Sequence, residues 1–375
     1  MLSKLTCTIT MLLIALSLGC GEKDGENAEE AIIDFAAPGP YHIGQRETWM
    51  TYTPDGLDEE RTLRLVIWYP TDETDAPGPL FQGGDVHIDA APRTNTEFPV
   101  YVFSHGSLGF AEASYALMEH FASHGFVVVA PDHTGNTTTN RNDPRPTEIY
   151  FLRALDISAI LDWLYALPSN DPLSGTLTEE VLLGGVSFGG FTSFAVAGAE
   201  FSESRISECD DSSAGDWCST MTPAYQDLFR AGFYDTRVDA IIPMAPGNAA
   251  ELGPEGVGDI DLPVLLVTAS RDQQSRNETT GDPYWASLSG PEAWRVNIEG
   301  GGHQSFVLAC EVTPGLFEDD GCGEEFIDYR EAHRLINTYS LAFAYHYLFG
   351  HSSARQTLDG TVPPSSDITL SAKGN

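Results

Sequence analysis

The sequence predicts an α/β fold in which a mostly parallel central sheet carries helices on both faces and begins with antiparallel strands. Three observations carry this expectation. From Tyr41 onward, apolar strand-like runs alternate with amphipathic helical stretches, the pattern of strand–helix–strand units. The strand-like runs end in loops that fall on one common edge, where open α/β sheets place ligands. One of those loops is Gly185-Val186-Ser187-Phe188-Gly189, set between an apolar strand and a helix of small residues.

In chain order, residues 48–53 and 61–69 are β-rich and flank a turn with Pro54-Asp55-Gly56, so they should form a hairpin at the sheet edge. Residues 72–98 are rich in Pro and Gly and read as a long surface connection. The run 98–104 (FPVYVFS) is a buried strand entering His105-Gly106-Ser107-Leu108-Gly109, with a helix over about 114–124. A strand over 126–130 runs into Pro131-Asp132-His133, and a loop with Pro144 and Pro146 precedes a helix over about 148–167. The strand 181–184 feeds the Ser187 loop, and its helix ends near Ala199. Residues 200–236 form an insertion at the position where lids are common. Strands follow over 238–244, 262–268 and 293–298, and 326–349 reads as the closing helix.

At 375 residues the chain is long enough for one large catalytic domain, assigned to 41–350, with a signal segment over 1–20, an acidic linker over 21–40 and a tail over 351–375. Nineteen basic against fifty-five acidic residues leave a formal charge of −36. Such a chain repels a phosphate backbone and offers no basic stripe, so nucleic acid is not an expected partner. The ordinary reading of that charge is a solvated, aggregation-resistant surface.

Lys4, the apolar run 9–18 and Gly19-Cys20 have the layout of an export signal too short to span a bilayer. Leu16-Ser17-Leu18-Gly19-Cys20 looks like a bacterial lipoprotein signal, which would acylate Cys20 and attach the protein to a membrane. Ser17 and Leu18 are swapped relative to the commonest order, so simple secretion and an uncleaved anchor stay open. The expected location is exported: an outer-membrane or periplasmic lipoprotein, or secreted. In an oxidising compartment cysteines pair. Of the six cysteines, Cys209 and Cys218 bracket one polar loop and Cys310 and Cys322 another, so two local bridges are the simplest of three possible pairings. No C-x-x-C spacing or paired histidines point to a metal.

The Gly-x-Ser-x-Gly motif is informative because of its context. Its glycines permit a sharp turn that exposes the Ser187 hydroxyl, and the following helix N-terminus favours negative charge. It has the layout expected of a nucleophile elbow in an α/β-hydrolase fold, whose chain order is Ser, then Asp or Glu, then His; the alternative is a Gly-rich strand-to-helix turn used only for packing. A serine hydroxyl is a weak nucleophile until a base takes its proton, and that base needs a carboxylate to orient it. Among the histidines after Ser187, His333, His346 and His351 lie on or just after the closing helix. His303 follows a strand in the loop Gly300-Gly301-Gly302-His303 and is the candidate base. Asp272 follows the preceding strand and is the candidate acid, whereas Asp239, Asp259 and Asp261 precede strands and lie at the wrong edge. The oxyanion donors expected by position are the backbone amides of Phe188 and Ser107, with Leu108 as fallback for the second. His105 and His133 precede the nucleophile and read as loop-shaping residues.

The chain resembles the bacterial dienelactone-hydrolase-like proteins related to platelet-activating-factor acetylhydrolase. The resemblance spans 39 to about 306 and rests on Gly39-Pro40-Tyr41, Val66-Ile67-Trp68-Tyr69-Pro70, Phe103-Ser104-His105-Gly106, Ser123-His124-Gly125-Phe126, Ala130-Pro131-Asp132-His133-Thr134-Gly135-Asn136-Thr137, Arg145-Pro146 and the Ser187 elbow. It implies hydrolysis of short or oxidised acyl esters, small-molecule or lipid, through an acyl-enzyme and without metal or organic cofactor. Two departures bear on the substrate. The animal acetylhydrolases take their acid from the strand after the nucleophile helix, which here ends Pro243-Met244-Ala245-Pro246. Asp272, one strand later, is placed as in secreted cutinases and polyester hydrolases, and dienelactone hydrolases proper use a cysteine nucleophile. A cutinase, polyesterase or lipase-like role is therefore the alternative. A peptidase, and a non-catalytic surface lipoprotein that kept the fold as a binding module, are further ones.

Overall fold

A computed structural model describes residues 33–75, 78, 86–142, 145–210, 216–290, 292–361 and 365–374. The signal segment, Cys20 and the acidic stretch 21–30 lie outside them. Among the described residues ten strands form one sheet: β1 (His42–Tyr52), β2 (Arg61–Thr71), β3 (Val86–Ile88), β4 (Phe98–Ser104), β5 (Val127–Asp132), β6 (Leu177–Val186), β7 (Ala240–Met244), β8 (Val264–Ala269), β9 (Ala293–Ile298) and β10 (Ile368–Lys373). Their order across the sheet is β10-β9-β8-β7-β6-β4-β5-β2-β1-β3. The six central strands β4 to β9 are mutually parallel, and β2 joins β5 antiparallel as half of the β1–β2 hairpin. This is the α/β-hydrolase fold.

The helices are α1 (Tyr115–Ser123), α2 (Glu148–Tyr165), α3 (Phe188–Val196), α4 (Glu203–Ser207), α5 (Pro223–Ala231), α6 (Ala249–Gly258), α7 (Asp282–Ser287), α8 (Ala309–Val312), α9 (Tyr329–Phe349) and α10 (Ser352–Leu358). Side chains alternate across a strand, so the central strands feed two cores. Val100, Val102, Val127, Val129 and Leu183 meet α2 and α3 on one face. Tyr101, Phe103, Val128, Ala130 and Leu182 meet α1 and α9 on the other.

The structure departs from the sequence reading at three places. The connection 72–98 contains β3, which extends the sheet beyond the hairpin by pairing parallel to β1. The supposed C-terminal tail supplies α10 and then β10, antiparallel to β9 at the far edge. The final part of the supposed linker is packed against the body: Phe35 is 3% exposed with its ring 5.6 Å from Tyr345, and Gly39 N donates to Ser123 Oγ at 2.9 Å. A side chain on Gly39 would reach within 2.0 Å of the Ser123 carbonyl oxygen. All three elements are anchored by contacts with distant residues and lack a local period of their own.

The described part of the insertion is fixed to α2 by an aromatic cluster. The Trp217 ring lies 4.5 Å from Phe229, 5.0 Å from Tyr150 and 6.0 Å from Phe201, and Thr147 Oγ1 donates to the Trp217 carbonyl at 2.9 Å. Cys209 and Cys218 are joined as a disulfide within it, and Cys310 and Cys322 form a second beyond β9. No helix of the described residues is long and apolar enough to cross a membrane.

Candidate active site

Ser187 occupies φ 56°, ψ −115° between β6 and α3, a conformation that costs a non-glycine residue about 1–3 kcal/mol and persists only where its surroundings over-determine it. Ser187 N donates to the Met244 carbonyl at the end of β7 at 2.8 Å, and Ser187 O accepts from Phe191 N and Gly247 N, each at 3.2 Å. The motif glycines answer to close backbone approach. A Cβ on Gly189 would lie 1.8 Å from Ser104 O, and one on Gly185 would lie 2.6 Å from the same atom. The end of β7, which lacks a carboxylate, thus serves to brace the elbow.

Asp272 stands just past β8 and is 5% exposed. Its Oδ1 accepts from Gln274 N at 2.8 Å and Ser275 N at 2.6 Å, which fixes the carboxylate as a turn cap. Its Oδ2 lies 2.8 Å from His303 Nδ1. A carboxylate can only accept, so that contact places the Nδ1 proton on the Asp272 side and leaves Nε2 as the other edge of the ring. His303 itself opens a short turn after β9 and is 7% exposed. The expected acid and base are thus joined, while among the described residues no hydrogen bond links the Ser187 hydroxyl to His303. Contacts of this kind often close only once substrate is bound.

The loop after β4 passes beside Ser187, for a Cβ on Gly106 would lie 3.4 Å from Ser187 Cβ. Ser107 Oγ accepts from Asn136 Nδ2 at 3.3 Å, Leu108 has φ 59°, and Thr138 N donates to Gly109 O at 3.3 Å. His105 Nδ1 donates to Gly106 O at 2.6 Å while its Nε2 accepts from His133 N at 3.1 Å. Burial holds this imidazole well below its ordinary pKa, with the nearby Arg153 charge acting in the same direction. His105 is therefore a neutral brace for the loop.

Sequence reasoning missed the network beneath that loop. The Arg153 guanidinium, fully buried on α2, donates to Asn136 Oδ1 at 2.8 Å, Ser104 Oγ at 3.0 Å, Thr192 Oγ1 at 3.3 Å and the His105 carbonyl. It also lies 4.8 Å above the Phe188 ring. Ser104 Oγ lies 2.9 Å from His133 Nε2, and His133 Nδ1 lies 2.8 Å from Asp156 Oδ2. Asp156 is in turn forked by Arg61 at 2.6 and 2.8 Å and accepts from Tyr52 OH at 2.5 Å. Burial alone would raise the Asp156 pKa, but the Arg61 charge and its hydrogen bonds, with His133, hold it well below the carboxylate range. Burial and the Arg153 charge push His133 down to about 3, so its neutral ring donates to Asp156 and accepts from Ser104. The β1–β2 hairpin is thereby wired to the loop beside Ser187.

A second missed residue is Asp320, in the loop closed by Cys310 and Cys322. Its Oδ1 accepts from His303 N at 3.0 Å and Gln273 N at 3.1 Å, and its Oδ2 accepts from Gln274 Nε2 at 3.0 Å. Among the described residues no group of three or more His, Cys, Asp or Glu is placed to hold a metal ion.

Residues 77–207 match the model of the Chlorophyllase family. That stretch contains Ser107, Ser187 and Phe188 and ends before Asp272 and His303. No curated protein matches the chain. Among solved structures, a ferulic acid esterase from Streptomyces cinnamoneus is similar, with 21% identity, a TM-score of 0.62, and coverage of 91% of this chain and 99% of that one. At that identity the likeness speaks for the architecture.

Proposed function

We propose that this chain is a serine carboxylic-ester hydrolase. Ser187 Oγ attacks the ester carbonyl while His303 Nε2 takes its proton, and the amides of Phe188 and Ser107 receive the oxyanion. Collapse of the tetrahedral intermediate expels the alcohol, protonated by His303. Water activated by the same imidazole then attacks the acyl-enzyme, releases the acid and returns the proton to Ser187. The observation that carries the reading is the 2.8 Å Asp272–His303 hydrogen bond at the sheet edge that also presents the strained Ser187 elbow. The likeness to a protein named as an esterase supports an ester over an amide substrate.

The substrate class we favour is short-chain or oxidised acyl esters of small molecules or lipids, on the strength of the acetylhydrolase-like motifs. Leu108, 40% exposed on the loop beside Ser187, supports an apolar group on the substrate. A p-nitrophenyl ester series from acetate to palmitate tests this. Turnover confined to short chains and lost in Ser187→Ala supports the reading, activity on long chains moves it toward a lipase or polyesterase, and turnover retained in Ser187→Ala contradicts it. Export through the N-terminal signal, with Cys20 acylated, fits the two disulfides, which persist in oxidising compartments. Metabolic labelling with an alkyne fatty acid should mark the protein and fail to mark Cys20→Ser.

A further inference from the structure

We propose that Asp320 is a positioning residue for the Asp272–His303 pair, held in register by the Cys310–Cys322 disulfide. This rests on the hydrolase reading of that pair. The acid and the base stand on two separate loops, after β8 and after β9, joined by the hydrogen bond between their side chains and, upstream of it, by Arg271 N to Gly301 O at 2.9 Å and Gly300 N to Ser270 Oγ at 2.8 Å; none of these holds the His303 amide itself. Asp320, 7% exposed, bridges the two loops through one oxygen: Oδ1 takes the amide of Gln273, next to the acid, and the amide of His303 itself. Gln273 Nε2 adds a bond to the Asp319 carbonyl at 2.6 Å.

Backbone packing makes the bridge specific. A Cβ on Gly302 would lie 2.5 Å from Asp320 C and Gly321 N, so residues 320–321 rest directly on the chain entering His303. Gly321 has φ +131°, a conformation that favours glycine, and a Cβ there would lie 3.0 Å from Ser305 N. The disulfide closes the circuit. Cys322 lies two residues past Asp320, and its partner Cys310 is buried with Sγ 3.7 Å from Gln304 O, on the turn that His303 opens. The Asp320 loop is thus cross-linked to α8, which packs on the His303 turn, and hydrogen-bonded to His303 directly. A shift of about 1 Å in a catalytic group can cost on the order of 100-fold in rate, which is what such a clamp prevents.

Asp320→Ala should lower kcat for p-nitrophenyl acetate by about 10- to 100-fold with KM little changed, because it misplaces the base without touching the substrate. Asp320→Asn keeps an Oδ1 acceptor for both amides and should restore turnover to within about 3-fold of wild type. Cys310→Ser/Cys322→Ser should mimic Asp320→Ala, and the triple variant should lose little more, the non-additivity expected of one device. Hydrogen–deuterium exchange of segments 271–275 and 301–306 reads the clamp without any substrate, and both should exchange faster in Asp320→Ala or, should that variant fail to fold, in the disulfide variant. Unchanged exchange in both segments, or unchanged kcat in a folded Asp320→Ala, overturns the clamp and leaves the hydrolase reading standing. Loss of the hydrolase reading, seen as ester turnover retained in Ser187→Ala, leaves the exchange result to decide the clamp.

Discussion

Replacing Arg153 by Met should damage turnover much more than stability. The substitution removes the donors that satisfy the His105 carbonyl and Asn136 Oδ1, and each buried acceptor left unpaired costs about 1–3 kcal/mol. Against that stands the cost of burying a guanidinium without a directly bonded carboxylate, several kcal/mol that Met no longer incurs. The two largely offset, so the net loss of stability should be about 0–3 kcal/mol. Catalysis has no such compensation. His105 and Asn136 hold the loop proposed to offer the second oxyanion donor, and losing one such donor costs about 100- to 1000-fold in kcat. Arg153→Lys keeps the charge without the fork that reaches several acceptors at once, and should fall between Met and wild type. Urea unfolding gives the stability difference, and initial rates on p-nitrophenyl acetate give the kinetic one. A folded Arg153→Met with kcat within about 3-fold of wild type would refute the reasoning and reduce the network to scaffold.

The same network and the opposite face of the sheet give two tests of stability. Asp156→Asn removes the charge that Arg61 forks and should cost about 3–5 kcal/mol at pH 7, as breaking a buried ion pair does. Because the folded pKa of Asp156 is depressed, its contribution is present above the unfolded value of about 3.9 and lost as pH falls through the folded one. The difference between wild type and variant in urea should therefore shrink on acidification, and a constant difference contradicts it. Glu119 on α1 has a buried Oε1 with no hydrogen-bond partner among the described residues, and burial, then the Glu311 charge, raises it to about 8. The folded state then holds a proton that the unfolded chain releases, so the stabilising contribution is complete below about pH 4.3 and gone above pH 8. Glu119→Gln should stabilise by about 1–3 kcal/mol at pH 9 and by nothing near pH 4.5, discounting the full shift for residual solvent. Equal effects at the two pH values would rule this out.

Much of the frame was legible in the sequence because central strands and packed helices carry their own period. Phe98–Ser104 and Ala293–Ile298 match the bounds read from the apolar runs, and the Ser187 elbow announces itself by two glycines flanking a serine between a strand and a helix. Asp272 and His303 were legible as the carboxylate and imidazole that follow strands on the correct edge. What escaped was non-local. Arg153 and Asp156 sit three residues apart on a helix and read as polar positions of an amphipathic face. They are buried because the β1–β2 hairpin and the loops after β4 and β5 close over them. The available signal was their setting among Ile149, Phe151, Ile157 and Ile160, all core residues. Asp320 stands in Glu318-Asp319-Asp320-Gly321, which reads as a solvated acidic loop, and only the neighbouring Gly321 and Cys322 hint that its backbone is pressed against another chain segment. β3 is three residues long, too short to show alternation, and β10 is a mostly exposed or half-buried edge strand whose apolar side does not stand out.

The central claim, that Ser187 is a nucleophile activated by the Asp272–His303 pair, is tested most directly by intact-mass analysis after treatment with a fluorophosphonate, which phosphonylates only an activated serine. The account predicts one adduct per chain, mapped to the peptide containing Ser187, absent in Ser187→Ala and formed far more slowly in His303→Ala. An adduct on another residue, or no adduct on folded protein, would contradict it.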